Sequence, residues 1–291
     1  MFFISRIDTD PAMDLAEQLA KRATQALLDE VNLTPKPGLV DQRSSGAHHD
    51  LSLDLMEASA HSLSATFYEL ALVSWQRQAD VALRLEIGKI GRAGEQAMMN
   101  VTHGVNTHRG AIWALGLLVS SAAMLGGEYE RALNITQGAA TMASIGDPMQ
   151  PQSFSKGKCA SQRYRIPGAK EQAQLGFPAI INRGLPQLHL SRQHGANESQ
   201  ARVDALLSMM SSLTDTCVLS RGGTDALSAM QRAASLVLDA GGMATIHGQT
   251  RFDQLEQIML THYISPGGSA DLLSATLLLD GLTPTPLTNP N

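Results

Sequence analysis

The sequence predicts an all-α protein, on three observations. Apolar residues recur at three- and four-residue spacing through most of the chain. Runs that alternate with period two and are rich in β-branched residues are hard to find. Glycine and proline gather in clusters between the periodic stretches, where they would end helices. The 291 residues suffice for one large domain with a sizeable core, and no linker marks off a second. The expectation is a single compact α-helical domain over 1–291, with its core over about 10–280, glycine-rich functional loops and a buried central helix.

The first helix should open at Asp10 and Pro11, an N-cap followed by a proline at the first helical position. Leu15, Leu19, Ala23, Ala26 and Leu27 then mark one face. Residues 33–50, "LTPKPGLVDQRSSGAHHD", fit neither helix nor strand: Pro35 and Pro37 deny helical hydrogen bonds, and Gly38 and Gly46 permit unusual turns. The stretch 51–75 is apolar at Leu55, Ala58, Leu63, Phe67 and Leu70, again at helical spacing. Residues 81–102 form an amphipathic helix. Residues 110–127, "GAIWALGLLVSSAAMLGG", carry no charge. A membrane span needs about twenty mostly apolar residues, whereas this stretch has four glycines and two serines and stands alone. It reads as the central helix, buried on all sides. Helices over 128–145, 198–214, 224–240 and 251–263 complete the set. Breaks are expected at 35–46, 146–168, 184–186, 221–223, 241–248 and 266–268, the second long for a loop in a compact domain. Met98, Met99, Met209 and Met210 read as core filler, His61 as a packed histidine on an apolar face, and 281–291 as a flexible tail.

Charge and composition exclude several classes. The net charge is −5 and the pI about 6.0, with no Lys/Arg-rich run of the kind that binds nucleic acid. Aromatic residues are 4%, too few for a base-stacking platform. Cys159 and Cys217 lack paired spacing and read as reduced thiols, which together with the short apolar start of "MFFISRIDTD" places the protein in the cytoplasm, off the membrane.

Four constellations can carry chemistry. The 33–50 loop holds Lys36, Asp41, Arg43, His48 and Asp50 in fixed directions. Asp50 can cap the next helix with Asp54 one turn on, and paired carboxylates with substrate phosphates suit Mg²⁺. A solvated loop with an N-cap aspartate fits the same residues. "THGVNTHRG", 102–110, puts Asn106, His108 and Arg109 before the uncharged helix, where free backbone N–H groups attract an anion; a simple cap by Asn106 or Thr107 is the alternative. "DTCVLSRGG", 215–223, resembles an anion-binding turn through Arg221, Gly222 and Gly223. "SPGGSADLL", 265–273, places Gly267, Gly268 and Ser269 where backbone amides can cradle phosphate, with Asp271 in the first turn; Ser265 or Ser269 as an ordinary cap is the alternative. No P-loop, G-x-G-x-x-G, G-x-S-x-G or H-E-x-x-H motif occurs. The residues alone therefore reach an all-α protein suited to a phosphorylated ligand with Mg²⁺.

Taken in order, "TPKPGLVDQRSSGAHHDL", "GVNTHRGAIWALGLL", "GFPAIINRGLPQL" with "DTCVLSRGG", and "SPGGSADLLSATLLL" resemble the triphosphoribosyl-dephospho-CoA synthases over roughly residues 20–280. "HHDLSLDLMEASAHSL" and "NTHRGAIWALGLL" look closer to the malonate decarboxylase branch than to the citrate lyase branch. Departures are "SKG" at 155–157 for an expected "SHG", "GAKEQA" at 168–173, Ser220 for an expected histidine, and His103 for an expected glycine. They weaken a role for the central loop and for position 220.

The resemblance implies a transferase. It joins ATP to 3′-dephospho-CoA, releases adenine and yields 2′-(5″-triphosphoribosyl)-3′-dephospho-CoA, which a separate transferase attaches to an acyl carrier subunit. Glycosyl transfer needs a proton acceptor, a proton donor for the leaving base, and counter-charge for the triphosphate. On that chemistry Lys36, Arg43, Arg109 and Arg221 hold phosphate oxygens with Asn106, and Gly222, Gly223, Gly267, Gly268 and Ser269 let the backbone approach. Asp50, Asp54 and Asp215 hold Mg²⁺. His48 or Glu30 acts as base, and Asp271 or His108 supports ribose or the leaving group. A homo-oligomer is compatible with this reading. A Mg²⁺-dependent ADP-ribosyl-type hydrolase and a non-catalytic helical nucleotide-binding protein are the alternatives.

Overall fold

A computed structural model describes residues 10–150 and 156–283, and among these every regular element is helical. The elements are α1 (Pro11–Asn32), α2 (Leu53–Ser62), α3 (Ser64–Ser74), α4 (Val81–Val101), α5 (Arg109–Met124), α6 (Ala132–Ser144), α7 (Lys156–Tyr164) and α8 (Ala169–Gln174). A π-turn (Ile180–Gly184) leads into α9 (Leu185–Gln193), followed by α10 (Glu198–Met210), α11 (Thr216–Asp239), a 3₁₀ turn (Gly242–Ala244), α12 (Ile246–Thr261) and α13 (Gly267–Leu282). No helix among them is long and apolar enough to cross a membrane. The expectations for 1–9 and 284–291 lie outside the described residues.

The uncharged stretch is the central helix: α5 buries twelve of its sixteen residues, packed by α1, α3, α4, α6 and α13. A second helix, α13, is nearly as enclosed, burying every residue from Leu272 to Leu279. Both helices mix leucine with Ala, Ser, Gly or Thr, and these small side chains let neighbouring side chains pack closely. α1 starts as expected: Asp10 accepts from the Ala12 N–H at 2.9 Å with Pro11 at the first helical position, a cap worth about 1 kcal/mol. Its Leu19, Ala23, Ala26 and Leu27 are buried, and Leu15 packs half-buried at the margin.

Several expected boundaries move. The stretch 51–75 is two helices meeting at Leu63, and Ala58 faces solvent. The 146–168 break contains α7. Residues 184–186 do not break the chain, because a π-turn absorbs Gly184 and passes into α9 with Pro186 tolerated in its first turn. α11 begins at Thr216 rather than 224, with a kink at Gly223, whose φ of 69° suits glycine. Met98, Met209 and Met210 are core as expected, and Met99 packs against it. His61 instead lies exposed at the end of α2, just past the buried Ser59 and Ala60.

Candidate active site

Segments that lie far apart in the chain line one cavity of about 390 Å³. The start of α5 contributes Gly110 and Trp113. The segment before α9 contributes Phe177, Asn182 and Arg183. The start of α11 contributes Asp215 and Thr216, and the start of α13 contributes Gly268 and Asp271.

The floor is where α5, α11 and α13 begin. Asp215 caps α11, its Oδ1 accepting from the N–H of Cys217 at 2.9 Å and of Val218 at 3.4 Å. It also reaches across to α13, accepting from the Ser269 N–H at 2.8 Å, the Ser269 hydroxyl at 3.0 Å and the Gly268 N–H at 3.4 Å. One buried carboxylate thus closes two helix starts, supplying the anion that helix N-termini favour. Two expectations change as a result. The amides of Gly268 and Ser269, expected to cradle phosphate, face an internal carboxylate. Neither Ser265 nor Ser269 caps its own helix.

Asp271 begins the second turn of α13 rather than lying in its first. Its carboxyl packs against Gly110, where any Cβ would collide with it, and the Ala111 N–H donates to it. Burial raises its pKa well above the usual carboxylate value, and the negative charges of Glu30 and Asp215 add to the effect. No lysine or arginine among the described residues pairs with it. Burial likewise raises the pKa of Asp215, partly offset by its hydrogen bonds. A buried acid with a strongly perturbed pKa on a cavity floor is the usual mark of proton chemistry.

The 33–50 loop is bound up in its own charges. Buried Lys36 donates to the Glu30 carboxylate at 2.8 Å and to the carbonyls of Glu30 and Val31 at 2.6 and 3.2 Å. Its three hydrogens are thereby used in ending α1. Glu30 is buried and pinned by the same ammonium. Arg43 forks onto Asp41, with Nε at 2.9 Å and Nη2 at 2.7 Å, and onto Glu256 of α12, so it fastens the loop. His48 is held by Arg221 at 3.2 Å and Ser265 at 2.8 Å, while Arg221 also donates to the Ala47 carbonyl at 2.9 Å. Arg221 can only donate, so Nδ1 of His48 accepts and Nε2–H points to Ser265. Burial, then Arg221, lowers the His48 pKa and keeps the ring neutral.

The expected metal ligands are not brought together. Asp50 is 66% exposed, Asp54 is exposed, and Asp215 is buried among donors. Ser52, not Asp50, caps α2. Among the described residues no group of three or more His, Cys, Asp or Glu side chains could hold a metal ion.

His108 is buried at the start of α5, bonded through Nδ1 to Ser59 at 2.7 Å, with Nε2 unpartnered. Burial and then nearby Lys36 lower its pKa to about 3. Arg109 donates to Glu95 on α4 at 3.1 Å, and Asn106 accepts the Arg109 N–H at 3.2 Å, although His108 holds the N-cap position of α5 and makes no side-chain cap bond. Gly222 packs closely on Ala226 and Ile264, and Gly267 lies by Cys217. Of the nominated residues, then, Asp215, Gly268 and Asp271 line the cavity.

Sequence reading missed Trp113, Asn182 and Arg183. Trp113 was hidden in an apolar run; its indole N–H donates to the Ala169 carbonyl at 3.2 Å, and the Arg84 guanidinium lies 5.5 Å from its ring centre. Asn182 and Arg183 sit in the π-turn, a feature frequent at functional sites but without a sequence signature of its own.

The chain matches the family described as ATP:dephospho-CoA triphosphoribosyl transferase over residues 16–288. It is 57% identical over 262 residues to the 2-(5″-triphosphoribosyl)-3′-dephosphocoenzyme-A synthase of Klebsiella pneumoniae, covering 90% of this chain and 93% of that relative. It is 54% identical over 275 residues to a probable synthase of the same name from Stutzerimonas stutzeri (strain A1501), covering 94% of each. No solved structure matches the chain.

Proposed function

We propose, from the premise that this chain belongs to the ATP:dephospho-CoA triphosphoribosyl transferase family, that Asp271 carries the proton in a glycosyl transfer at the cavity floor. Moving triphosphoribose out of ATP breaks the bond between ribose C1′ and adenine and forms one between C1′ and a hydroxyl of 3′-dephospho-CoA. The transition state resembles the oxocarbenium ion of glycoside hydrolysis. Adenine must gain a proton as it leaves and the hydroxyl must lose one. Asp271, whose pKa burial and nearby negative charge raise well above the usual carboxylate value, is the donor on this reading. Once it has donated, its carboxylate takes the proton of the attacking hydroxyl and the site is restored. Asp215, already accepting from two helix starts, is positioned to hold the floor rather than to exchange protons. The observation that carries this reading is a buried carboxyl, with no cationic partner among the described residues, on the floor of a cavity where α5, α11 and α13 begin.

Glu30, His48 and His108 serve the frame on this reading: Glu30 is tied to Lys36, His48 to Arg221 and Ser265, and His108 to Ser59. The expected aspartates do not fit a metal cage, so Mg²⁺ is proposed to arrive on the phosphates of ATP. The product is proposed to serve malonate decarboxylase through a separate prosthetic-group transferase, in the cytoplasm. The "HHDLSLDLMEASAHSL" wording supports the branch, and the free thiols Cys159 and Cys217 support the compartment.

The test is free adenine, followed by chromatography after incubation with ATP and Mg²⁺, with and without 3′-dephospho-CoA. Adenine that forms only with the acceptor, matched by a heavier CoA species, is the expected result. Adenine without acceptor would make the protein a hydrolase, and none in either case would leave a binding protein.

A further inference from the structure

The cations nominated for phosphate are largely committed elsewhere. Lys36 is bound to Glu30, Arg43 to Asp41 and Glu256, and Arg109 to Glu95. Yet both substrates of the proposed reaction carry polyphosphate, and a triphosphate on a ribose whose C1′ sits at the floor must extend toward the mouth of the cavity.

Residues 157–170 hold Lys158, Arg163, Arg165 and Lys170 and no acid, in a chain of net charge −5. This segment borders the cavity at both ends. Gly157 packs by Thr216, a lining residue, and Pro167, Gly168 and Ala169 line the wall themselves. Arg165 is two residues from that wall and Lys170 directly follows it. Tyr164, just before Arg165, places its hydroxyl beside the kink at Gly223. Arg183 adds a cation from another part of the lining. Arg163, Arg165, Lys170 and Arg183 are exposed, and no carboxylate among the described residues pairs with any of them. The nearest acid in sequence, Glu171, accepts the Gly168 N–H at 2.8 Å.

We infer that the 157–170 segment, with Arg183, is the polyphosphate-recognition surface of this site. The inference rests on the transferase reading of the cavity for its substrates, but on charge and position for its location. Guanidinium forks match phosphate oxygens in pairs. Arg183 on the lining, with exposed cations on the segment that borders it, would hold the phosphates outward and the ribose inward over the acidic floor. The shared chemistry is a linear polyphosphate, whether the triphosphate of ATP or the diphosphate of dephospho-CoA.

The test uses the full chain and the double variant Arg163→Gln/Arg165→Gln, titrated calorimetrically with sodium triphosphate. Binding should weaken tenfold or more in the variant, about 1.4 kcal/mol, and wild-type affinity should fall as salt rises. Arg183→Gln should weaken it independently, whereas Lys89→Gln, an exposed cation on α4, should not. In steady-state assays a raised KM for ATP with little change in kcat assigns the surface to the triphosphate, and a raised KM for dephospho-CoA assigns it to the diphosphate. A wild type that does not bind triphosphate, or variants with unchanged affinity and unchanged KM for both substrates, overturn the inference. A wild type that binds triphosphate through these arginines yet releases no adenine would refute the transferase reading and leave the surface standing.

Discussion

The 33–50 loop and the cavity floor are built from similar parts: glycines, aspartates, serines and a helix start nearby. In the loop every buried charge is answered. Lys36 meets Glu30, and Asp41 meets Arg43, which continues to Glu256. On the floor, among the described residues, Asp215 is answered only by neutral N–H and O–H donors, and Asp271 faces two further acids with no cation paired to it. Ion pairs closed on themselves hold a backbone in place. A buried acid left without a counter-ion holds a proton instead, and that proton is available to chemistry.

The sharpest way to break this contrast is Asp271→Asn. Turnover should fall by roughly two to four orders of magnitude if Asp271 carries the proton. Stability should move the other way. The folded pKa of Asp271 is raised, so the native protein keeps a proton that the unfolded chain gives up above about pH 4. Wild-type stability therefore declines as pH rises from there toward the folded pKa, and the asparagine variant lacks that decline. Thermal melts across pH 4 to 8 should show a variant at least as stable as wild type at the upper end. Near wild-type adenine release would remove Asp271 from the mechanism.

That contrast was only half legible in the sequence. Periodicity and the uncharged run identified the helices and central α5, because burial of an apolar face is written locally. The motifs named Asp215, Gly268 and Asp271, but an aspartate at a helix start looks the same whether it caps its own helix or also binds a neighbour. Asp215 does both, across more than fifty residues of chain, and nothing local encodes that reach. Lys36 shows the same limit: a lysine between two prolines suggests a presented cation, while its partners are the Glu30 carboxylate and the final carbonyls of the helix before it. Arg183 was invisible because Gly184 and Pro186 mimic a break where a π-turn continues the helix.

Lys36→Met tests the other side of the comparison. It leaves the Glu30 carboxylate buried without its partner, and removing one member of a buried pair costs about 3–5 kcal/mol. Urea unfolding should show that loss. The fraction that remains folded should keep its KM for ATP, since Lys36 ends α1 and does not line the cavity. A raised KM at unchanged stability would return Lys36 to the phosphate-binding role its sequence suggests.

Arg43→Ala should give the smallest effect and the most specific signature. Arg43 is 43% exposed, so its ion pairs with Asp41 and Glu256 contribute only about 1 kcal/mol at neutral pH. Its influence on Asp41 is plainer. Burial would raise the pKa of that carboxyl, but hydrogen bonds from the Arg43 side chain and from the N–H groups of Lys36 and Arg43, together with the guanidinium charge, bring it below the usual value. A lowered folded pKa gives stability that is complete above the unfolded pKa, about 3.9, and is lost as pH falls through the folded pKa. Without Arg43 the burial effect is less opposed, the folded pKa rises, and acid unfolding should begin at higher pH. Melting temperature followed from pH 6 to pH 3 would show the two curves separating on the acid side, with KM for ATP unchanged. Superimposable curves would mean that Asp41 is held by the backbone N–H groups of residues 36, 43 and 44, which donate to it at 2.9, 2.8 and 3.2 Å, and that its ion pairs are no firmer than those of any solvated surface.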